Sequence, residues 1–295
     1  MIKSIKNKFG AWLRLTRFEH SLMSAAGVLV AVFIALGAGG SVGQNEFLAA
    51  LLVPVLINLG AFALNDYFDV EADRENEKKR PLVSGEIKPL HAAVFGAIAL
   101  LVGGLIGFAV NFEAGVISLL FAAVSFLYNW KLKDIALLGN LFISSSMGIS
   151  FIFGAVVCGF SFALIPVDFW ILGIGATAAG FGREIVKTVQ DVEGDKKGRG
   201  SKTLSVLIGE RYSLVIAGFM FLVFCICVIS LVVYSQILEF NILSLGILIL
   251  CAFVYLTFAY LCAFSKIDGK RMEMVRKLSL KMLALALFAV LICAI

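Results

Sequence analysis

Nine stretches of roughly 17 to 25 residues, each dominated by apolar side chains, follow one another along the chain, and an α-helix of that length crosses a bilayer's hydrocarbon core. Their approximate limits are 21–39, 47–64, 90–110, 114–129, 136–158, 166–185, 212–234, 241–264 and 278–295. Composition agrees, since 61% of the 295 residues are hydrophobic and only 15% charged, against about 25% charged in a soluble domain. Such a chain is excluded from the soluble globular class. Length alone suggests about two soluble domains, but a row of membrane-length helices removes the basis for that count. The expected architecture is all-α: one polytopic membrane domain over residues 1–295, with nine transmembrane helices bundled around a central apolar cavity.

Charge fixes an orientation. With nine crossings, the N-terminal segment shares a side with the loops after spans 2, 4, 6 and 8. Those five regions hold all 25 Lys and Arg residues and 16 of the 20 acids; only Glu46, Glu113, Asp168 and Glu239 lie opposite. The positive-inside rule therefore makes this a multi-pass cell-membrane protein with its N-terminus and charged loops cytoplasmic and its C-terminus outside. The same distribution accounts for the net charge of +5 without nucleic acid. Residues 1–17 read as a retained basic interfacial segment, because the following apolar run reaches full span length without a small-residue cleavage site. Protein partners leave no signature.

The six cysteines sit in or beside apolar runs and read as small hydrophobes, and two histidines are too few for a histidine-rich metal centre. The chemistry-bearing residues lie elsewhere. Span 2 runs into Asn65-Asp66-Tyr67-Phe68-Asp69-Val70-Glu71-Ala72-Asp73, and span 6 into Gln190-Asp191-Val192-Glu193-Gly194-Asp195, so DVEAD and DVEGD recur at matching helix ends. If each helix continues, Asp66, Asp69 and Asp73 share one face, as do Asp191 and Asp195. Like charges at that spacing repel, and a bound cation reverses the sign. Mg²⁺ prefers oxygen ligands and commonly joins one or two carboxylates to substrate phosphates, so two facing acidic clusters suit a magnesium-bridged diphosphate.

Cations follow both clusters: Lys78, Lys79 and Arg80 after the first; Arg183, Lys187, Lys196, Lys197, Arg199 and Lys202 around the second. They suit phosphoryl oxygens, although cytoplasmic loops are basic for topological reasons too. Span 4 ends in Tyr128-Asn129-Trp130-Lys131-Leu132-Lys133, and Asn140 opens span 5. Tyr128 and Trp130 also suit an interfacial aromatic belt, and Asn140 suits helix packing.

With nine spans, an N-D-x-x-D-x-x-x-D motif followed by Arg80-Pro81, and a second aspartate motif after span 6, the sequence resembles the UbiA-superfamily intramembrane prenyltransferases. The resemblance implies that Asn65, Asp66, Asp69, Asp73, Asp191 and Asp195 bind Mg²⁺ and the diphosphate of an isoprenoid donor. Three departures stand out. Thr188 replaces the first acid of a K-D-x-x-D-x-x-G-D pattern, Leu132 falls where a Y-x-x-x-K element has its lysine, leaving Lys131 or Lys133 to substitute, and only Arg17 survives from an R-P-x-N element. The run from Arg183 to Asp195 looks most like archaeal digeranylgeranylglyceryl phosphate synthases. The expected metal ligands are Asp66, Asp69, Asp73, Asp191 and Asp195, with catalytic roles for Asp66, Asp69, Asp191 and Lys187. Substrate contacts are expected from Arg17, Asn65, Arg80, Tyr128, Lys131, Lys133, Asn140 and Arg183.

The implied reaction is Mg²⁺-dependent transfer of a geranylgeranyl group from its diphosphate to the hydroxyl of geranylgeranylglyceryl phosphate, among membrane lipids. An aromatic quinone precursor is the alternative acceptor. A lipid or small-anion transporter is the alternative of a different class, but transporters place polar groups near the midplane, whereas the charges here crowd one face. A phosphoalcohol transferase lacks its D-G-x-x-A-R opening in this sequence.

Overall fold

In lipid every backbone polar group needs an internal partner, so apolar runs of span length are driven into helices. The computed structural model describes residues 2–135, 137–190, 204–265 and 268–294. Its helices are α1 (Ile2–Thr16), α2 (Phe18–Gly37), α3 (Gln44–Phe68), α4 (Val70–Glu75), α5 (Pro89–Ile106), α6 (Phe112–Trp130), α7 (Leu138–Val157), α8 (Val167–Gln190), α9 (Leu204–Ile208), α10 (Glu210–Tyr234), α11 (Ile242–Phe264) and α12 (Gly269–Ala294). The all-α membrane architecture expected from the sequence is present.

Eight described helices are long and apolar enough to cross a membrane: α2, α3, α5 with its 3₁₀ extension, α6, α7, α10, α11 and α12. The ninth expected span corresponds to α8, which has 24 residues but carries Asp168, Arg183, Glu184 and Lys187 among many Gly and Ala. Most of α8 is buried against protein, where small residues serve close packing better than bulky apolar ones. On the other helices, Leu101, Leu105, Ile249, Phe253 and Phe264 are exposed, a surface that water would not tolerate but lipid does. Two helices outrun their apolar segments. Helix α3 continues to Phe68, carrying Asn65 and Asp66 on its last turn, and α12 starts at Gly269 on a charged turn in which Lys277 pairs with Glu273 at 2.6 Å.

The chain divides into two compact units, Met1–Leu29 with Val42–Lys133, and Val30–Ser41 with Asp134–Ile295. In the first, α3 packs on α5 almost backbone to backbone. A Cβ at Gly60 would lie 2.7 Å from the Gly96 carbonyl oxygen, and one at Gly96 would lie 2.7 Å from Leu64 Cγ. Helix α6 is tied to α3 by buried Asn129, whose Nδ2 donates to Ala61 O at 3.1 Å. Amphipathic α1 buries Ala11 and Leu15 with Ala63, Leu82, Ile87 and Ala92. That cluster fastens the connection between α4 and α5 onto α3. At its rim, Arg14 reaches Glu86 at 2.6 Å and Ser84 Oγ donates to Glu86 at 2.9 Å. Hydrogen bonds from Ser84 and then Arg14 hold the Glu86 carboxyl below its usual range.

In the second unit, α8 is flanked by α7, α10 and α12. Fully buried Tyr255 on α11 stacks near Phe224 (4.2 Å between ring centroids), Phe221 (5.4 Å) and Phe258 (5.8 Å), and its hydroxyl donates to Ser279 O at 2.8 Å. An apolar space of about 30 Å³ lies beside this cluster, lined in part by Phe151, Leu172, Phe224 and Leu283. Ordinary ligand pockets span about 300–1,000 Å³, so this space does not answer to the expected cavity. None of the six cysteines forms a disulfide, and all are buried or half-buried, as expected of small hydrophobes.

The α3–α5 contact admits no extra atoms. Gly60→Val is expected to destabilise the protein by about 1–3 kcal/mol, the usual range for overpacking. Gly246→Ala, where a Cβ meets nothing within 4 Å, should leave the detergent-solubilised melting temperature unchanged or raised.

Candidate active site

The first acidic motif is shaped by a break in the helix. Asp69 ends α3 with φ −94° and ψ 2°, and α4 begins at the next residue. Helical hydrogen bonding nonetheless passes through it, because the Asp69 N–H donates to Asn65 O at 3.0 Å and the Asp73 N–H to Asp69 O at 2.8 Å. The expected single helix is thus two helices joined at a bend. Asp66, Asp69 and Asp73 remain gathered and buried, at 3%, 8% and 1% exposure.

Carboxylates buried this deeply require counter-charge, since the cost of desolvating an unpaired ion is several kcal/mol. Four cations among the described residues contribute to it. Arg80 bonds to Asp66 through Nη1 and lies 3.0 Å from Asp73 Oδ2 through Nε, so one guanidinium spans two acids. Lys78 Nζ is 2.9 Å from Asp73 Oδ1, Lys133 Nζ 2.7 Å from Asp69 Oδ1, and Arg17 Nη2 3.5 Å from Asp66 Oδ1. Both Asp73 oxygens are buried, and each lies within ion-pair distance of a cation.

Local structure aims each cation. Arg17 sits between α1 and α2 with φ +45°, a left-handed conformation that costs about 1–3 kcal/mol in a non-glycine residue. Its guanidinium lies over the Phe62 ring, 4.8 Å from the centroid, and burial lowers its pKa while Asp66 opposes that shift. Arg80 is presented by the connection that Leu82 and Ile87 anchor. Lys133 belongs to the 3₁₀ turn Leu132–Asp134. Of the two lysines open to sequence reasoning, Lys133 joins the cluster and Lys131 is exposed at the end of α6. Tyr128 and Asn65 are half-buried on the turns preceding Lys131 and Asp66.

In the second unit, Arg183 Nη1 pairs with Glu184, and Lys187 Nζ is 3.8 Å from Glu184 Oε2. Glu184 is 4% exposed, and Arg183 Nε is buried without a hydrogen-bond partner among the described residues. Thr188, standing where an acid was expected, donates to Ile185 O at 2.8 Å and lies 3.3 Å from Ser205 Oγ, linking α8 to α9. Asn140 is half-buried on α7, and its carbonyl accepts from Ser144. Asp191 and Asp195 lie outside the described residues. Sequence reasoning passed over Glu184, the specific pairing of Lys78 with Asp73, and Phe62 beneath Arg17. Of these only Glu184 left a signal, its i,i+3 spacing to Lys187.

Among the described residues, no three His, Cys, Asp or Glu side chains converge closely enough to hold a metal ion as they stand. The donors are of the type Mg²⁺ takes, three carboxylates in one patch, each already paired with a cation. Arg80 pairs with both Asp66 and Asp73, and Lys133 with Asp69.

A family model described as the UbiA prenyltransferase family matches residues 25–280. The chain belongs to that family. Digeranylgeranylglyceryl phosphate synthase of Methanopyrus kandleri is 35% identical over 210 residues, covering 70% of this chain and 73% of that protein. A solved chain from work on digeranylgeranylglyceryl phosphate synthase in membranes superposes with a TM-score of 0.81 at 28% identity, over 97% of this chain and 98% of that one. A UbiA homolog from Archaeoglobus fulgidus bound to GPP and Mg²⁺ shares the fold, with a TM-score of 0.62 at 17% identity over 95% and 99% of the two chains. This UbiA-family chain is a multi-pass membrane prenyltransferase.

Arg80 is the hub of its first motif, so Arg80→Met strips two buried acids of a counter-ion. The expected result is a loss of about 3–5 kcal/mol of metal-free stability, the usual cost of breaking a buried ion pair. Melting in metal-free detergent solution checks it, with exposed Lys131→Met as a control that stays within about 0.5 kcal/mol.

Proposed function

We propose that this chain transfers a geranylgeranyl group from geranylgeranyl diphosphate to the hydroxyl of geranylgeranylglyceryl phosphate, forming an ether-lipid precursor in an Mg²⁺-dependent reaction. The observation that carries the reading is the set of three buried aspartates ion-paired with four cations in the first unit. Support for the substrates comes from the name borne by relatives such as the Methanopyrus kandleri synthase, and for metal and donor class from the Archaeoglobus fulgidus homolog with GPP and Mg²⁺.

Asp66, Asp69 and Asp73, joined by Asp191 and Asp195 of the second motif, would hold Mg²⁺. Bound there, the ion supplies positive charge that neutralises the departing diphosphate. The chain's own cations work alongside. Arg80 offers a planar fork to phosphoryl oxygens, and Arg17, Lys78 and Lys133 act as further positive groups. Negative charge grows on the leaving group as the allylic C–O bond breaks, so fixed cations stabilise the transition state more than the bound donor. The acceptor hydroxyl oxygen then bonds to the allylic carbon, and its proton leaves with the released diphosphate. Asn65 is assigned to the donor diphosphate beside Asp66, Lys131 and Lys187 to the acceptor phosphate, and Arg183, Tyr128 and Asn140 to further substrate contacts. A water-excluding apolar cavity between the helices would house the prenyl chain and protect the allylic cation from hydrolysis.

The full topology belongs to the same proposal: residues 1–295 form one catalytic domain with α8 as the ninth crossing, charged loops and N-terminus cytoplasmic, and C-terminus outside. A phosphatase reporter fused after Ile295 should be active and a fluorescent-protein reporter there dark. The opposite pattern removes the nine-span topology.

Purified protein with Mg²⁺, labelled geranylgeranyl diphosphate and geranylgeranylglyceryl phosphate should yield the ether product. Turnover of an aromatic acceptor alone would reject the assigned substrate. Asp66→Ala, Asp69→Ala and Asp191→Ala should each lower turnover by about 10²–10³-fold or more, the scale seen when one electrostatic stabiliser is lost, while the protein stays folded in the membrane.

A further inference from the structure

We propose that Glu184 is a positioning residue: with one carboxylate oxygen on each, it holds the Arg183 guanidinium and the Lys187 ammonium side by side, so that the two cations meet the acceptor's phosphate together. This rests on the lipid-phosphate acceptor assigned above and adds the group that aims its contacts.

Arg183 and Lys187 are four residues apart on α8 and share one face of the helix, where like charges repel. Glu184 lies between them in the chain. Its Oε1 accepts from Arg183 Nη1, and its Oε2 is 3.8 Å from Lys187 Nζ. The acid is withdrawn while the cations open outward, since the side chains of Glu184, Arg183 and Lys187 are 6%, 23% and 44% exposed. The backbone beneath them is held by close packing on α10. A Cβ on Gly182 would lie 2.6 Å from the Phe221 ring and 3.0 Å from Ala217 O.

A buried ion pair supports a fold when it ties one element to another. Here all three residues belong to α8, and among the described residues their ion pairs reach no other helix. Withdrawing Glu184 from water on these terms returns little to packing, and an ionisable group inside a membrane protein is costly without a purpose. Donor capacity is also left over. At 3.8 Å the Lys187 ammonium is beyond hydrogen-bond reach of Glu184, so the pair leaves its three N–H groups unused. Among the described residues, Nη1 is the Arg183 nitrogen with a hydrogen-bond partner, and Nε is buried without one. A phosphate monoester brings about two negative charges and several acceptor oxygens, which suits a guanidinium and an ammonium kept together.

The test is calorimetric binding of glycerol 1-phosphate, without metal, to the full-length protein in detergent, with magnesium pyrophosphate as the probe of the donor side. The second-motif aspartates, which lie outside the described residues, stay unchanged in every variant. Glu184→Gln keeps the side chain's shape and removes its charge. Loss of a negative charge alone would strengthen anion binding; loss of positioning weakens it. The expected result is glycerol 1-phosphate binding weakened about tenfold and magnesium pyrophosphate binding changed by less than about twofold, within the usual range of coupling between neighbouring side chains. In a Lys187→Met background the same substitution should cost less than about threefold, because much of its effect passes through the lysine. Glu184→Asp, which keeps the charge on a shorter stem, should also weaken glycerol 1-phosphate selectively, and it carries the test if Glu184→Gln does not fold. The proposal is overturned by no measurable binding of glycerol 1-phosphate to the unmodified protein, by unchanged or tighter binding in the Glu184 variants, by equal weakening of both probes, or by an undiminished loss in the Lys187→Met background. Ether formation with glycerol 1-phosphate binding unmoved by Glu184→Gln keeps the transfer reading and removes only this role. Selective weakening in a protein that forms no ether keeps the role of Glu184 and removes the assigned reaction.

Discussion

Asp66, Asp69 and Asp73 are withdrawn almost completely from water at the end of a membrane-length helix. Ionised carboxylates tolerate that only with charge of opposite sign in contact. Much of the first unit can be understood as the means of delivering that charge. The α4–α5 connection returns to α3 so that Arg80 spans two of the acids, and Leu82 and Ile87 bury beneath α1 to keep it there. Arg17 adopts a left-handed backbone over Phe62, and the polypeptide leaving α6 turns tightly enough to place Lys133 on Asp69. Close glycine contact between Gly60 and Gly96 sets the helix pair on which the motif stands.

The same charges connect structure to reaction. A site that breaks an allylic diphosphate needs positive groups already oriented, because reorganising them during bond cleavage would return part of the stabilisation. Here the aspartates hold Arg17, Lys78, Arg80 and Lys133 in fixed positions through ion pairs. Membership of the UbiA prenyltransferase family makes this arrangement intelligible as donor-binding machinery. In the second unit, Glu184 plays a comparable part on a smaller scale, gathering Arg183 and Lys187 on the last turns of α8.

Sequence reasoning found the helices because hydrocarbon imposes a length and a composition, and it found the first motif because aspartates at helical spacing beside a membrane boundary are costly without purpose. Other features depended on tertiary placement. Nothing local says that Asp69 interrupts the helix while preserving its hydrogen bonds, or that Lys133 rather than Lys131 turns inward. The charged start of α12 was assigned to a loop because a hydropathy window stops where side chains become polar, although a helix need not. Helix α8 was recognised by length, but its Gly- and Ala-rich faces record burial against protein rather than exposure to lipid.

The central claim is that the aspartates and cations gathered at the end of α3 bind the metal and the donor diphosphate. The most direct measurement is an experimental structure of the protein with Mg²⁺ and a non-reactive geranylgeranyl thiodiphosphate. The account predicts metal on the first-motif carboxylates, with Arg80 and Lys133 within hydrogen-bond distance of phosphoryl oxygens. A bound diphosphate lying elsewhere, with Arg80 still bridging Asp66 and Asp73 and Lys133 still on Asp69, would contradict it.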